Sequence, residues 1–210
     1  MFTMQKLLLH HDALIKGEFE LKKLNFLFVF QVNCPGCFLY GIPFVNKLYK
    51  EFNKELSFLG LSTAFEDYEF NNLKNTELLI FKNEVVGETK KSLSQIGINT
   101  FDQPIEFPIA MDSIADEETF DFEKGAIDIC NTNPNYSIWP EFEQIDMKKR
   151  VIAYLKKQEV ISQTFTLNQF RGTPTMLVFN DNYEILYNNF GHIKYEIIKE
   201  KIEEIIDTFN

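Results

Sequence analysis

Cys34-Pro35-Gly36-Cys37 constrains this chain more than any other segment. The apolar run Leu24-Asn25-Phe26-Leu27-Phe28-Val29-Phe30 before it reads as a buried strand, and Phe38 to Glu51 after it reads as a helix. Two thiols three positions apart at a strand-to-helix junction can pass between dithiol and disulfide without refolding the chain. The first of them would lie where the unpaired N–H groups and dipole of a helix start favour a thiolate. Zinc sites use the same spacing, so the motif alone does not settle its chemistry.

A second signal stands far along the chain, at Phe170-Arg171-Gly172-Thr173-Pro174-Thr175, followed by the strand-like Met176-Leu177-Val178-Phe179. Together the two segments resemble the thioredoxin superfamily, and the TlpA and redoxin-like members in particular. In that superfamily a CxxC opens the first core helix, and a cis-proline ahead of a later core strand packs on the active-site sulfurs. The resemblance implies an α/β thioredoxin-like fold, with a central mixed, mostly parallel sheet flanked by helices. It also implies a cis Thr173–Pro174 bond beside the sulfurs, with the Thr173 backbone turned toward a bound peptide. Gly191 falls where thioredoxins keep a substrate groove open.

The rest of the chain supplies elements for such a sheet. Residues 12 to 22 suggest a short hairpin around Gly17. Leu56–Ala64 and Phe107–Asp112 read as further strands, and Leu73–Phe81 and Lys90–Ile96 as helices, the latter with a Thr89 cap. Alternation of strand and helix argues parallel pairing. Thr175–Phe179 and Glu184–Asn188 form a hairpin pattern, and Lys194–Phe209 a final helix with Ile197, Ile198, Ile202, Ile205 and Ile206 toward the sheet. In thioredoxins a kinking proline usually follows the second Cys by five residues. Here Pro43 follows by six, so Gly41 or a local bulge has one residue to absorb.

Residues 113–165 exceed what the resemblance accounts for, and read as an insertion within one domain spanning 1–210. An amphipathic helix is expected from about Ile145 to Gln158, with Val151, Ile152 and Leu155 on one face. Residues 106 to 146 carry 11 acids against one base, Lys124, and so hold the whole net charge of −10. Such a stretch is either a solvated face or a docking surface for a basic partner. Nucleic-acid binding is excluded by the lack of clustered Lys and Arg. The chain shows no signal-peptide core and no membrane-span pattern, so a cytoplasmic setting without membrane association is expected, where a CxxC is catalytic or metal-binding rather than a staple.

The expected chemistry is thiol–disulfide exchange, with Cys34 as nucleophile, Cys37 as resolving thiol and no cofactor beyond the Cys34–Cys37 disulfide itself. Its partners would be protein or small-molecule disulfides and a thiol-reducing donor. Pro35 has no N–H to offer the thiolate, which leaves Gly36 and the residues after it. Pro35, Gly36, Thr173, Pro174, Arg171 and Gly191 are the candidate substrate-binding residues. Arg171 has three readings: thiolate stabiliser, anchor for an acidic substrate group, or surface ion pair. Phe28 stands six before Cys34, where thioredoxin has a buried acid.

Three other chemistries fit less well. A peroxiredoxin needs Pro and Thr or Ser seven and three residues before its cysteine, and this chain has Leu27 and Gln31. A zinc site lacks two ligands, so no metal is expected, and a c-type haem needs His at 38, which is Phe. The non-enzymatic alternative is a thioredoxin-like adaptor that uses the CxxC as a redox switch.

Overall fold

The computed structural model describes residues 5–98 and 100–209. Strand β1 is His11–Lys16 and β2 is Leu24–Phe30. A π-helical turn, Cys37–Gly41, runs into α1, Ile42–Phe52. Then come β3 (Ser57–Ser62), α2 (Leu73–Lys82), α3 (Gly87–Gln95) and β4 (Ile109–Asp112). The 113–165 region and its exit contain β5 (Ile114–Ala115), α4 (Phe122–Asn131), α5 (Glu141–Leu155), β6 (Ile161–Ser162) and α6 (Gln163–Leu167). The chain closes with β7 (Thr175–Asn180), β8 (Ile185–Phe190) and α7 (Tyr195–Phe209).

Six strands form the main sheet in the order β1-β4-β3-β2-β7-β8. Pairing is parallel between β4 and β3 and between β3 and β2, and antiparallel at the other three junctions. The sheet is thus mixed, with less parallel pairing than the strand–helix alternation suggests, because β1, β7 and β8 all join antiparallel. All seven residues of β2 are buried, as a central strand covered on both faces requires. Phe26, Phe28 and Phe30 enter the cluster that holds Val45 and Leu48 of α1, Leu79 of α2, Leu93 of α3 and Ile198 and Ile202 of α7. Leu27 and Val29 face the other way, against Phe165 of α6, Phe170 and Leu7. Burying each such side chain contributes about 1.5–3 kcal/mol.

Several local expectations are corrected. Residues 12–22 do not form a hairpin: β1 pairs with β4, and Gly17, at φ +72°, turns the chain against Pro108. Alternation marks a strand without naming its partner. Thr89 does not cap α3, whose N-cap is Val86; Thr89 is buried inside the first turn. Ile197 is 47% exposed, so the apolar face of α7 is carried by Ile198 and Ile202 with Ile205 and Ile206 at its edge.

The 113–165 region builds a second small core, in which Ala126, Ile129, Cys130, Val151 and Leu155 pack with Trp139 and Ile152 alongside. It is bolted to the sheet through Asp112 at the end of β4. Asp112 accepts hydrogen bonds from Thr63 Oγ1 at 2.9 Å, from Thr164 N at 2.8 Å and from Phe165 N at 3.1 Å. Ser162 Oγ adds a bond to the Ala64 carbonyl at 2.8 Å, and Asn168 clasps both backbone groups of Leu8. Of the described helices, none is long and apolar enough to cross a membrane.

Candidate active site

The register of β2 with β7 builds the site. Val29 lies opposite Thr175, so the turn entering β7 is level with the segment leaving β2. That brings Thr173 to Cys34, 139 positions apart in sequence: the Cys34 Sγ lies 3.6 Å from the Thr173 carbonyl oxygen. The Thr173–Pro174 peptide bond is cis. The Pro174 ring stands over the helix start, 3.9 Å from where a Cβ on Gly36 would be and 3.5 Å from where one on Gly41 would be.

The two sulfurs are 2.7 Å apart in the dithiol, somewhat beyond the disulfide length of about 2.05 Å. Cys34 is partly exposed and Cys37 fully buried. Their acidities diverge. The hydrogen bond from the Cys37 thiol, helped by the Thr173 side chain and the backbone of Cys37 and Gly36, draws the Cys34 pKa down to about 7 against the cost of burial. The Cys37 N–H donates to Cys34 Sγ at 3.3 Å. Burial, and then the neighbouring Cys34, pushes the Cys37 thiol well above its ordinary value. Pro35 contributes no donor, and the amides beyond it do.

The π turn explains the offset of Pro43. Ile42 N–H bonds to the Cys37 carbonyl, five residues back, which takes up one residue and sets Pro43 in the first turn of α1. The proline therefore begins a helix and does not break one. Gly41 is required for a further reason: a Cβ there would come within 2.8 Å of the Phe28 ring. Phe28 thus fills with hydrocarbon the space beneath this turn.

The remaining candidates surround the same turn. Gly191, at φ +79°, donates its N–H to the Pro174 carbonyl at 2.9 Å, and nothing stands within 4 Å of where its side chain would be. The Phe190 ring packs on Gly172, leaving no room for a Cβ, and Arg171 lies over that ring at 5.5 Å. Arg171 opens onto a cavity of about 350 Å³ with Asn168, Gln169, Thr175, Asn188 and Phe190 in its wall. Among the described residues no carboxylate lines it, although the chain carries 31 acids.

Two contributors escape a reading by motif. Tyr40 accepts the Ile193 N–H at 2.9 Å and donates to the Ile193 carbonyl, tying the loop after Gly191 to the π turn, with the His192 ring on its face. Gln31, 2% exposed, receives the Thr173 hydroxyl on Oε1 at 3.1 Å. Neither has a local signature, since both bonds span more than 140 residues. Cys130 belongs to the second core, and among the described residues there is no cluster of three or more His, Cys, Asp or Glu arranged for a metal.

The arrangement can be set beside known proteins. No family model and no curated protein matches the chain. Solved structures do. A crystal structure of a thioredoxin-like superfamily protein superposes with TM-score 0.57 at 18% identity, covering 97% of each chain. A thiol-disulfide isomerase from Corynebacterium glutamicum gives TM-score 0.58 at 16% identity over 96% of this chain and 95% of its own. The solution structure of a thioredoxin-like protein in its oxidised form gives 0.50 at 10% identity. These likenesses show that the chain has a thioredoxin-like fold.

Proposed function

We propose that the protein is a thiol–disulfide oxidoreductase working through Cys34 and Cys37. The observation that carries this reading is the placement of the pair: a partly exposed Cys34 Sγ 2.7 Å from the buried Cys37 Sγ and 3.6 Å from the Thr173 carbonyl, beside the cis Thr173–Pro174 bond. The Cys34 thiolate attacks one sulfur of a substrate disulfide, forming a mixed disulfide and expelling the other substrate sulfur as a thiolate. Cys37, once deprotonated, attacks Cys34 Sγ, forms the Cys34–Cys37 disulfide and releases the second substrate thiolate. A thiol donor returns the pair to the dithiol. Run backward, the same steps oxidise a substrate dithiol.

The Thr173 backbone and the open side of Gly191 would receive a substrate peptide, and Arg171 an acidic group on it. The test is mechanism-based trapping. Cys37→Ser should accumulate mixed disulfides with protein or small disulfides, and Cys34→Ser should accumulate none, by non-reducing mass analysis. Equal trapping by both variants would overturn the assignment.

The adaptor reading is favoured by one feature, the exposed Ile138 and Phe142 (79% and 71%) next to Glu141 and Glu143. Turnover of an insulin-type disulfide at wild-type Cys34, lost in Cys34→Ser, decides for the enzyme.

A further inference from the structure

The cavity beside Arg171 lies on the far side of the turn that meets Cys34. Residues of β7 alternate across the sheet: Met176 packs in the cluster that holds Cys37, while Leu177 and Phe179 face Phe165 and Phe170 on the opposite side. Thr175, in step with Leu177, puts its side chain on that opposite face and lines the cavity. The turn from Gly172 to Pro174 is therefore a ridge, with the Cys34 Sγ 3.6 Å from the Thr173 carbonyl on one flank and Arg171 on the other. Arg171 stands two residues from Thr173, at most about 7 Å along an extended chain.

The wall of the cavity divides into engaged and open groups. Asn168 Nδ2 donates to the Leu8 and Thr164 carbonyls, Gln169 Nε2 to the Thr166 carbonyl and Thr175 Oγ1 to the Gly172 carbonyl. Among the described residues, no side-chain hydrogen bond or ion pair engages Arg171, Gln5 or Asn188, whereas Arg150 is paired with Asp146. A guanidinium held over the Phe190 ring presents a planar fork that matches a carboxylate, and an amide side chain offers the donor and acceptor that match a peptide bond. Thr132, the C-cap of α4, lines the cavity as well, so the 113–165 region supplies part of its wall. At about 350 Å³ the space is at the small end of ligand pockets, sized for a short arm rather than a protein segment.

Resting on the oxidoreductase reading, we infer that this cavity seats the carboxylate-bearing arm of a small peptide disulfide whose sulfur meets Cys34 across the ridge. The carboxylate pairs with Arg171, and the peptide bond beside it meets the amides of Gln5 and Asn188. A carboxylate one or two residues beyond the reacting cysteine has the reach, since two extended residues span about 7 Å. Arg171 is thus a specificity residue: it sets the affinity for one class of disulfide and touches no reacting atom.

The test uses the peptide acetyl-Cys-Gly-Gly, as the acid and as the C-terminal amide, in two forms. As S-methyl thioethers, which cannot react, the peptides are titrated into the reduced protein and followed by NMR; the acid should bind saturably and about fivefold more tightly than the amide, the upper range of an exposed ion pair. As symmetrical disulfides they are compared in steady-state reduction with dithiothreitol as the donor, where the same factor should appear in KM with kcat unchanged. Arg171→Ala should bring acid and amide together in both assays, and Arg171→Lys should keep part of the difference. Asn188→Leu should weaken acid and amide alike, by roughly two- to tenfold for a lost amide hydrogen bond. Both side chains are exposed, so these variants keep the fold. Acid and amide handled alike by the wild type, an Arg171→Ala variant that still separates them, or sodium acetate competing as well as the peptide acid would overturn the inference. Turnover of both disulfides without discrimination sinks the cavity and leaves the oxidoreductase reading standing. A thioether acid that binds through Arg171 while neither disulfide turns over retains the cavity and sinks that reading instead.

Discussion

At the scale of single residues, the two cysteines set opposite slopes of stability against pH. Cys34 has its pKa lowered in the fold to about 7, so between pH 7 and about 9 the unfolded chain holds a proton there that the folded one has lost. Stability of the dithiol protein therefore rises with pH across that window, and the gain disappears as pH falls through 7. A pKa that differs by 1 between the folded and unfolded chain corresponds to about 1.4 kcal/mol, so with solvent screening of a partly exposed sulfur a gain of up to about 2 kcal/mol is expected. Cys37 acts in reverse: its raised pKa keeps the proton on the folded chain above pH 9, where the unfolded thiol ionises, and stability falls. Denaturant unfolding of the reduced protein should show a maximum near pH 9. In Cys34→Ala the rise from 7 to 9 should vanish, and its persistence would refute the assigned acidity.

Among elements, the join between β4 and α6 makes the next prediction. Burial lifts Asp112 to about 7 even though three donors point at it. An acid with a raised folded pKa keeps its proton where the unfolded chain has lost it, so its contribution to stability falls as pH climbs from about 4 to about 7. The slope is on the order of 1.4 kcal/mol per pH unit at most, and Asp112→Asn should flatten it. An unchanged slope in thermal melts over that range would show that Asp112 stays ionised. This join also shows what the sequence can reveal. The strands of the core, the helix after Cys37 and the final hairpin are legible because each writes its period into consecutive residues. Asp112 looks like one more acid in an acidic stretch, and Gln31 like the end of a strand. Their roles come from partners about 50 and more than 140 positions away, which no local pattern encodes. The π turn lies between these cases: Pro43 announces a surplus residue, and only the Ile42–Cys37 bond shows where it goes.

For the whole molecule, charge is distributed so that Arg171 faces a cavity free of carboxylates on a chain of net charge −10. A disulfide carrying carboxylates should then be preferred over one carrying ammonium groups, and Arg171→Ala should reduce that preference roughly two- to fivefold in kcat/KM, as suits an exposed ion pair. The ratio for glutathione disulfide against cystamine measures it; a ratio unmoved by the substitution would reassign Arg171 to its stacking on Phe190. The extra turn residue between Cys37 and Pro43 bears on how such a chain can change length. Because the surplus is taken up there, the reactive end of the helix and the buried face of α1 keep separate phase. Losing one residue within 37–41 would leave Val45, Leu48 and Phe52 aimed at the sheet. Losing one after Pro43 would swing every later side chain through about 100° and carry Lys47 or Lys50 toward the core. The segment beside the sulfurs is a slip joint, where the chain can be lengthened or shortened by one residue without disturbing the core that holds it.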